Sequence, residues 1–338
     1  MMIDYRSDTI TKPTAAMHEA MFKAPVGDDV FGEDPSINEL ERLSADLFGM
    51  EAALYCPSGT MTNQIAIKCH TLPGEEVICD VSSHIYQYEG GGIASNSGAQ
   101  VKLIHGDRGR ITADQVKESI NADDIHKART TLVSLENTSN RGGGSCYDFE
   151  EIRRIREVCD ENRLMLHLDG ARLFNALAAK GETPKQYGEV FHSISICLSK
   201  SLGCPVGSLV LGSTDFIRKA RRVRKAFGGG MRQAGYLAAA GIYALQNHVN
   251  RLQKDHAHAQ QLADALSKKD FVKTVLPVET NIIIFSVQER FDPVSLVAKM
   301  KEHNIHWYAI SPTQVRIVTH LDITPEMIQK TIDVINAL

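Results

Sequence analysis

Short apolar runs of strand length alternate with helix-period segments through most of this 338-residue chain, and that alternation restricts its fold more than any other feature. Residues 52–56, 76–80, 101–104, 131–135, 164–169, 193–198 and 208–211 are the strand candidates. Helical patterns separate most of them, around 63–71, 112–119, 150–162 and 171–180. This order predicts a mainly parallel central sheet with helices on both faces, in the α/β class.

The rest of the chain divides around that sheet. The opening segment to Pro13 reads as irregular, and a helix is expected over about 14–23. Residues 27–35 read as an acidic, turn-rich loop. Ser36-Ile37-Asn38-Glu39 fits a capping box, opening a helix with Leu40, Leu43 and Leu47 on one face. A long helical stretch over about 231–268 leads out of the large unit. Beyond it come strands at 280–286 and 314–319 and helices around 293–303 and 325–338, the pattern of a small α+β domain. The expected division is an N-terminal segment (1–25), a large domain (26–248) and a small C-terminal domain (249–338).

Composition excludes some partners. The formal charge of −4 gives no electrostatic reason to expect nucleic acid or an anionic membrane. The basic run from Arg218 to Lys225 reads as a solvated helix face. No apolar run approaches the roughly eighteen residues of a membrane span, and the charged first residues predict no signal peptide. Seven scattered cysteines with no C-x-x-C pair predict reduced thiols in the cytoplasm and no zinc site.

Two of the apolar runs end in chemistry. Leu164–Leu168 leads into Asp169-Gly170-Ala171-Arg172, and Ile194–Leu198 leads into Ser199-Lys200-Ser201. The carboxyl ends of buried strands are where open α/β sheets build their sites. Pyridoxal phosphate needs that pair: a lysine for the Schiff base and an acid to hold the pyridine nitrogen protonated. Taken singly, Asp169 reads as a helix N-cap, and Arg172 as a surface charge or an ion-pair partner of Asp169.

Neighbouring segments add to the pair. Pro57-Ser58-Gly59-Thr60 joins a strand to a helix and can bring backbone N–H groups to a phosphate. His84 follows another strand, where an imidazole can stack on a pyridine ring or act as a base. His70, His105, His256 and His258 read as ordinary core or surface histidines. Gly228-Gly229-Gly230 followed by Arg232 suits a mobile or closely packed loop near an anion. Arg316, in an alternating strand, is a carboxylate clamp if that strand faces the cleft.

With these blocks in hand, the chain resembles the L-threonine aldolases among the fold-type I, aspartate aminotransferase-like enzymes. The resemblance runs end to end through Asp4–Thr9, Val26–Pro35, Pro57–Met61, Ser83–Ile85, Glu136–Thr138, His167–Arg172, Leu198–Lys200, Pro205–Ser208, Gly228–Gly235 and Arg316–His320. It implies a lyase that uses pyridoxal phosphate to cleave threonine and other β-hydroxy-α-amino acids to glycine and an aldehyde. It also implies the site roles. Lys200 anchors the cofactor, Asp169 pairs with its nitrogen, His84 stacks on its ring, Ser58, Gly59 and Thr60 hold the phosphate, and Arg172 lies beside O3′. Ser7 and Arg316 bind the substrate carboxylate, while His84 and His126 stand near its hydroxyl. A homotetramer, a dimer of dimers with sites at subunit interfaces, is implied too, with Tyr88, Lys225 and Arg232 as candidates for donation by a neighbouring subunit. No metal is expected.

Two departures bear on the substrate side chain: Ser139 where the family often has histidine, and a glycine-rich Gln87–Gly92. The rival readings are a β-eliminating lyase or aminotransferase on another amino acid, a silent pyridoxal phosphate carrier, and a NAD-binding oxidoreductase. The last lacks a G-x-G-x-x-G turn after an early strand.

Overall fold

The structure, a computed structural model, describes residues 2–338. A seven-stranded sheet forms its centre, in the spatial order Ala52–Cys56, Ser208–Gly212, Ser193–Cys197, Met165–Gly170, Thr130–Glu136, Glu76–Asp80, Gln100–Ile104. Ser208–Gly212 runs antiparallel to both neighbours, and the remaining pairs are parallel. The strands at the middle of the sheet are covered on both faces, which is why they read as near-continuous apolar runs.

The expected strands are present with ends moved by a residue or so. Other expectations need correction. The helix Pro35–Phe48 is capped by Asp34, whose Oδ1 accepts the N–H groups of Ser36 and Ile37, so Ser36 is not the cap. Pro35 at the first helical position lacks an N–H to satisfy, which moves the start ahead of the capping-box reading. The stretch 231–268 is two helices, Gly235–Asn247 and Leu252–Leu266, broken where the His248 ring hydrogen-bonds the Leu202 carbonyl. The helix Pro184–Val190, with its Thr183 capping box, was not legible as a separate element.

The C-terminal region builds a four-stranded antiparallel sheet in the order Tyr308–Ser311, Gln314–Val318, Ile282–Val287, Val272–Val275. The chain's first strand, Ile3–Asp4, joins this region by pairing in parallel with Ile305–His306. The Val318 N–H donates to the Tyr5 carbonyl at 2.8 Å, and the Tyr5 hydroxyl meets Thr331 Oγ1 at 3.0 Å. Ile3 and Tyr5 thereby fill a second core with Phe285, Trp307 and Ile317. That docking fixes the path of the next residues, Ser7 and Asp8, across to the carboxyl ends of the central strands. All seven cysteines are buried and free. Among the described residues no helix is long and apolar enough to cross a membrane.

Candidate active site

Asp169 lies at the end of the Met165–Gly170 strand and is 2 % exposed. Its Oδ1 accepts the Ala171 N–H at 3.1 Å, and its Oδ2 accepts Asn63 Nδ2 at 2.9 Å. The local turn explains why it reads as a helix cap, although the following helix, Leu173–Lys180, begins later. Asn63 sits on the buried face of the helix Gly59–His70 and gives its second amide hydrogen to Glu89 Oε1 at 2.9 Å. Glu89 in turn meets His84 Nδ1 at 3.0 Å and Gln64 Nε2 at 2.7 Å. Burial alone would lower the His84 pKa, but the hydrogen bond to Glu89 and the charges of Asp169 and Glu89 outweigh it and raise it.

Glu136 closes this acidic end. Burial and the Asp169 charge push its carboxyl up to about 7, against the N–H groups of Asn140 and His84 that it accepts.

Lys200 follows the Ser193–Cys197 strand and lines a cavity of about 290 Å³ with Ser7, His84, Tyr88, Arg172 and Arg316. Among the described residues its amine makes no ion pair. Arg172 is buried and takes Asp8, not Asp169, as its partner: Nε reaches Oδ2 at 2.8 Å and Nη2 reaches Oδ1 at 2.7 Å. Ser201 Oγ adds a third hydrogen bond to Asp8 at 2.8 Å. Burial would raise the Asp8 carboxyl, but Arg172 and Lys200 hold it well below the usual carboxylate range.

Arg316 faces the same cavity from the Gln314–Val318 strand. Nη1 donates to Asn140 Oδ1 at 2.9 Å and Nη2 to the Arg6 carbonyl at 3.0 Å, while Nε is buried with no partner among the described residues. Burial and the neighbouring Arg172 and Arg141 charges lower it to about 10. The Ser7 hydroxyl accepts the Thr9 N–H and hydroxyl at the cavity edge. Tyr88 belongs to its own chain's cavity, with its ring 5.6 Å from that of His84 and its hydroxyl bonded to Arg141 Nε.

Ser58-Gly59-Thr60 opens the helix Gly59–His70, with the Ser58 hydroxyl accepting the Met61 N–H at 3.2 Å. The first-turn N–H groups of Gly59 and Thr60 are the ones a helix leaves unbonded. A Cβ on Gly59 would stand 2.5 Å from Cys197 Sγ, so only glycine lets this turn approach the sheet. Gly229 packs against Met61 of the same turn, so the glycine run is tightly packed at its centre, while Gly228 faces open space.

Asp169 and the Ser58-Gly59-Thr60 turn do not line this cavity, and three more of the expected residues lie apart from it within the single chain. His126 is on an exposed loop, its side chain 83 % accessible and its Nδ1 paired with Asp124 at 2.8 Å. Arg232 pairs with Asp28 at 2.9 Å and leans over Phe31. Lys225 lines a separate groove with Val30, Arg221 and Gly230. Conversely, the sequence reading did not single out Asp8, Asn63, Glu89, Asn140 or Arg141. Asp8 and Glu89 stood inside quoted segments, yet only long-range pairing reveals what each one holds.

These residues fit the pyridoxal phosphate that the resemblance implies. The buried acid, the ring of His84 beside it and the unpaired lysine occur together, and a glycine-tight helix N-terminus offers an anion seat. His84, Glu89 and Asp169 bring their polar atoms within 4.8 Å of one another, a concentrated negative end suited to a pyridinium N–H.

Comparison with known proteins agrees. The sequence profile of the beta-eliminating lyases matches residues 4–290. The chain is 46 % identical to the low specificity L-threonine aldolase of Escherichia coli K12, over 97 % of this chain and 96 % of that one. It is 40 % identical to the Saccharomyces cerevisiae low specificity L-threonine aldolase, over 97 % and 84 %. In fold it matches a Leishmania major threonine aldolase with TM-score 0.86 at 20 % identity over 99 % of both chains. A Sphingomonas wittichii serine palmitoyltransferase follows with TM-score 0.77 at 14 % identity over 99 % and 86 %. The fold is therefore that of the fold-type I enzymes, and the chain belongs to the beta-eliminating lyase family, together with the low-specificity L-threonine aldolases.

Proposed function

We propose that this protein is a pyridoxal phosphate-dependent lyase that cleaves L-threonine, L-allo-threonine and related β-hydroxy-α-amino acids to glycine and an aldehyde. The observation that carries this reading is Arg316. Its buried Nε has no partner among the described residues, in the cavity that also holds Lys200 and His84. A substrate α-carboxylate supplies the missing acceptor and neutralises a cation that burial disfavours.

Bound at Lys200, pyridoxal phosphate supplies the sink for the electron pair left when the Cα–Cβ bond breaks. Asp169, oriented by the Ala171 N–H and the Asn63 amide, would hold the proton at the cofactor nitrogen. Arg316 and Ser7 orient the substrate through its carboxylate. The bond from His84 Nδ1 to Glu89 keeps the Nδ1 proton in place and leaves Nε2 to take the β-hydroxyl proton, directly or through a water. Arg172, held by Asp8, would offer its cationic edge to the cofactor's O3′.

The site is completed by neighbouring copies in a homotetramer. Support comes from Ser58 and Thr60, which are exposed at the phosphate seat, and from Lys225, Arg232 and His126, which lie on exposed surfaces outside their own cavity. Free, buried cysteines favour a reducing compartment, the cytoplasm.

The test is acetaldehyde and glycine release from both threonine diastereomers by protein loaded with pyridoxal phosphate. Transamination or β-elimination without glycine would replace this reading with one of its rivals. Sedimentation of the loaded protein checks the tetramer.

A further inference from the structure

The helix Gly59–His70 covers the central sheet with a polar seam where apolar packing is the rule. Thr62, Asn63 and Gln64 are buried on it. Beneath it the strand register sets His167 opposite Ser193 and Asp169 opposite Ser195, all buried. A fully buried polar seam gives little net stability over an apolar one of the same shape. Its hydrogen bonds, however, form one continuous chain. His70 Nε2 lies 2.8 Å from Ser193 Oγ, which lies 2.9 Å from His167 Nδ1. His167 Nε2 lies 3.2 Å from Asn63 Oδ1, and Asn63 Nδ2 reaches Asp169 Oδ2 and Glu89 Oε1, each at 2.9 Å.

The chain has one allowed direction. Two carboxylates can only accept, so Asn63 must turn its NH₂ toward them and its carbonyl toward His167. His167 Nε2 must then be the protonated nitrogen, which leaves Nδ1 to accept from the Ser193 hydroxyl. Ser193 Oγ is free to accept from His70 Nε2–H. Burial keeps both imidazoles neutral, with His167 lowered to about 4 and His70 lowered as well, so each carries the single N–H this order requires. Gly92 packs so closely on Gln64 that a Cβ would meet its side chain, and this brings the loop carrying Glu89 down onto the same amide.

We propose that His167, acting through Asn63 and fixed in its tautomer by Ser193 and His70, is a positioning residue that holds Asp169 as an oriented anion toward the cofactor nitrogen. The inference rests on the pyridoxal phosphate reading above and extends it to residues that never touch the cofactor. His70 places the outer end of the chain in a surface groove lined by Lys219 and Arg163, far along the helix from Gly59.

The test reconstitutes apoprotein with pyridoxal phosphate and follows cofactor affinity by the visible absorbance band, with kcat and KM for L-threonine alongside. If wild-type protein takes up no cofactor and develops no band, the cofactor reading falls and the relay with it. If wild type does so, His167→Leu should lose about tenfold in cofactor affinity and in kcat, with KM within about twofold. His167→Gln, which returns an N–H donor at similar reach, should recover most of both. In an Asp169→Asn background His167→Leu should add less than about twofold, because the group it positions is gone. A full tenfold there, or wild-type behaviour of His167→Leu, overturns the proposal. Should His167→Leu fail to fold, Ser193→Ala carries the test. It should lose about threefold in the same two quantities while the apoprotein, though lower in melting temperature because two buried imidazole nitrogens lose their partner, stays folded at the assay temperature, and no loss overturns the proposal.

Discussion

Arg172 and Arg316 line one cavity, and they are held in opposite ways. Arg172 has its counter-charge within the chain: Asp8 grips it bidentately and the pair is buried. Arg316 bonds a carbonyl and an amide oxygen, keeps a buried Nε without an acceptor among the described residues, and is driven down in pKa. A buried cation already neutralised is part of the scaffold. One left short of an anion marks where an anion is to bind. The difference separates architecture from recognition within one cavity that also holds Lys200.

That contrast can be broken in graded ways. Lys200, which lines the cavity with Arg141 and these two arginines, carries the largest effect. Lys200→Ala should abolish the visible absorbance band and lower turnover by about a thousandfold or more, read in a threonine cleavage assay. An unchanged spectrum and full turnover would remove Lys200 as the anchor.

Next is the scaffold arginine. Asp8→Ala leaves Arg172 buried and uncompensated, and should destabilise the protein by about 3–5 kcal/mol in denaturant titration. The sign with pH follows from the depressed Asp8 carboxyl. Its contribution is complete above the unfolded value near pH 4 and is lost as pH falls further. Asp8→Asn should therefore flatten that acid limb, and an unaltered limb would show that the pair is not its source.

Arg316 should behave in the reverse way. Arg316→Met should raise KM for threonine by about 10–100-fold, while the apoprotein's denaturant midpoint stays level or rises, since an uncompensated charge has been removed. A fall in midpoint like that of Asp8→Ala would erase the distinction between the two arginines.

The smallest effect concerns His84. Glu89 raises its pKa, so a step needing neutral imidazole gains rate only above the ordinary histidine value. Glu89→Gln should move the acidic limb of kcat/KM to lower pH, as measured across pH 5–8, and a limb that stays put would remove His84 as the base.

Much of this was legible in the sequence, for local reasons. The central strands are buried on both faces, so their apolar runs stood out, and the two that end in Asp169 and Lys200 flagged the site. Helix starts were less secure: Asp34 took the cap expected of Ser36 because Pro35 favours the first helical position. The break at His248 was invisible because it depends on a carbonyl of Leu202, distant in the chain. Arg172 read alone suggested a surface charge or a partner for Asp169, and only the docking of the N-terminal strand brought Asp8 to it.

The sequence by itself determined which groups are available: an acid and a lysine behind buried strands, a small-residue turn at a helix N-terminus, a histidine after a strand, an arginine on an alternating one. Their order and types followed from local pattern, which periodicity and turn chemistry encode. Tertiary structure alone decided which charges are satisfied. Asp8 silences Arg172, nothing among the described residues satisfies Arg316 Nε, and Asn63 ties Asp169 to His167. Those outcomes depend on pairings between residues far apart in the chain, and on burial, which strengthens each interaction between charges by removing water from between them.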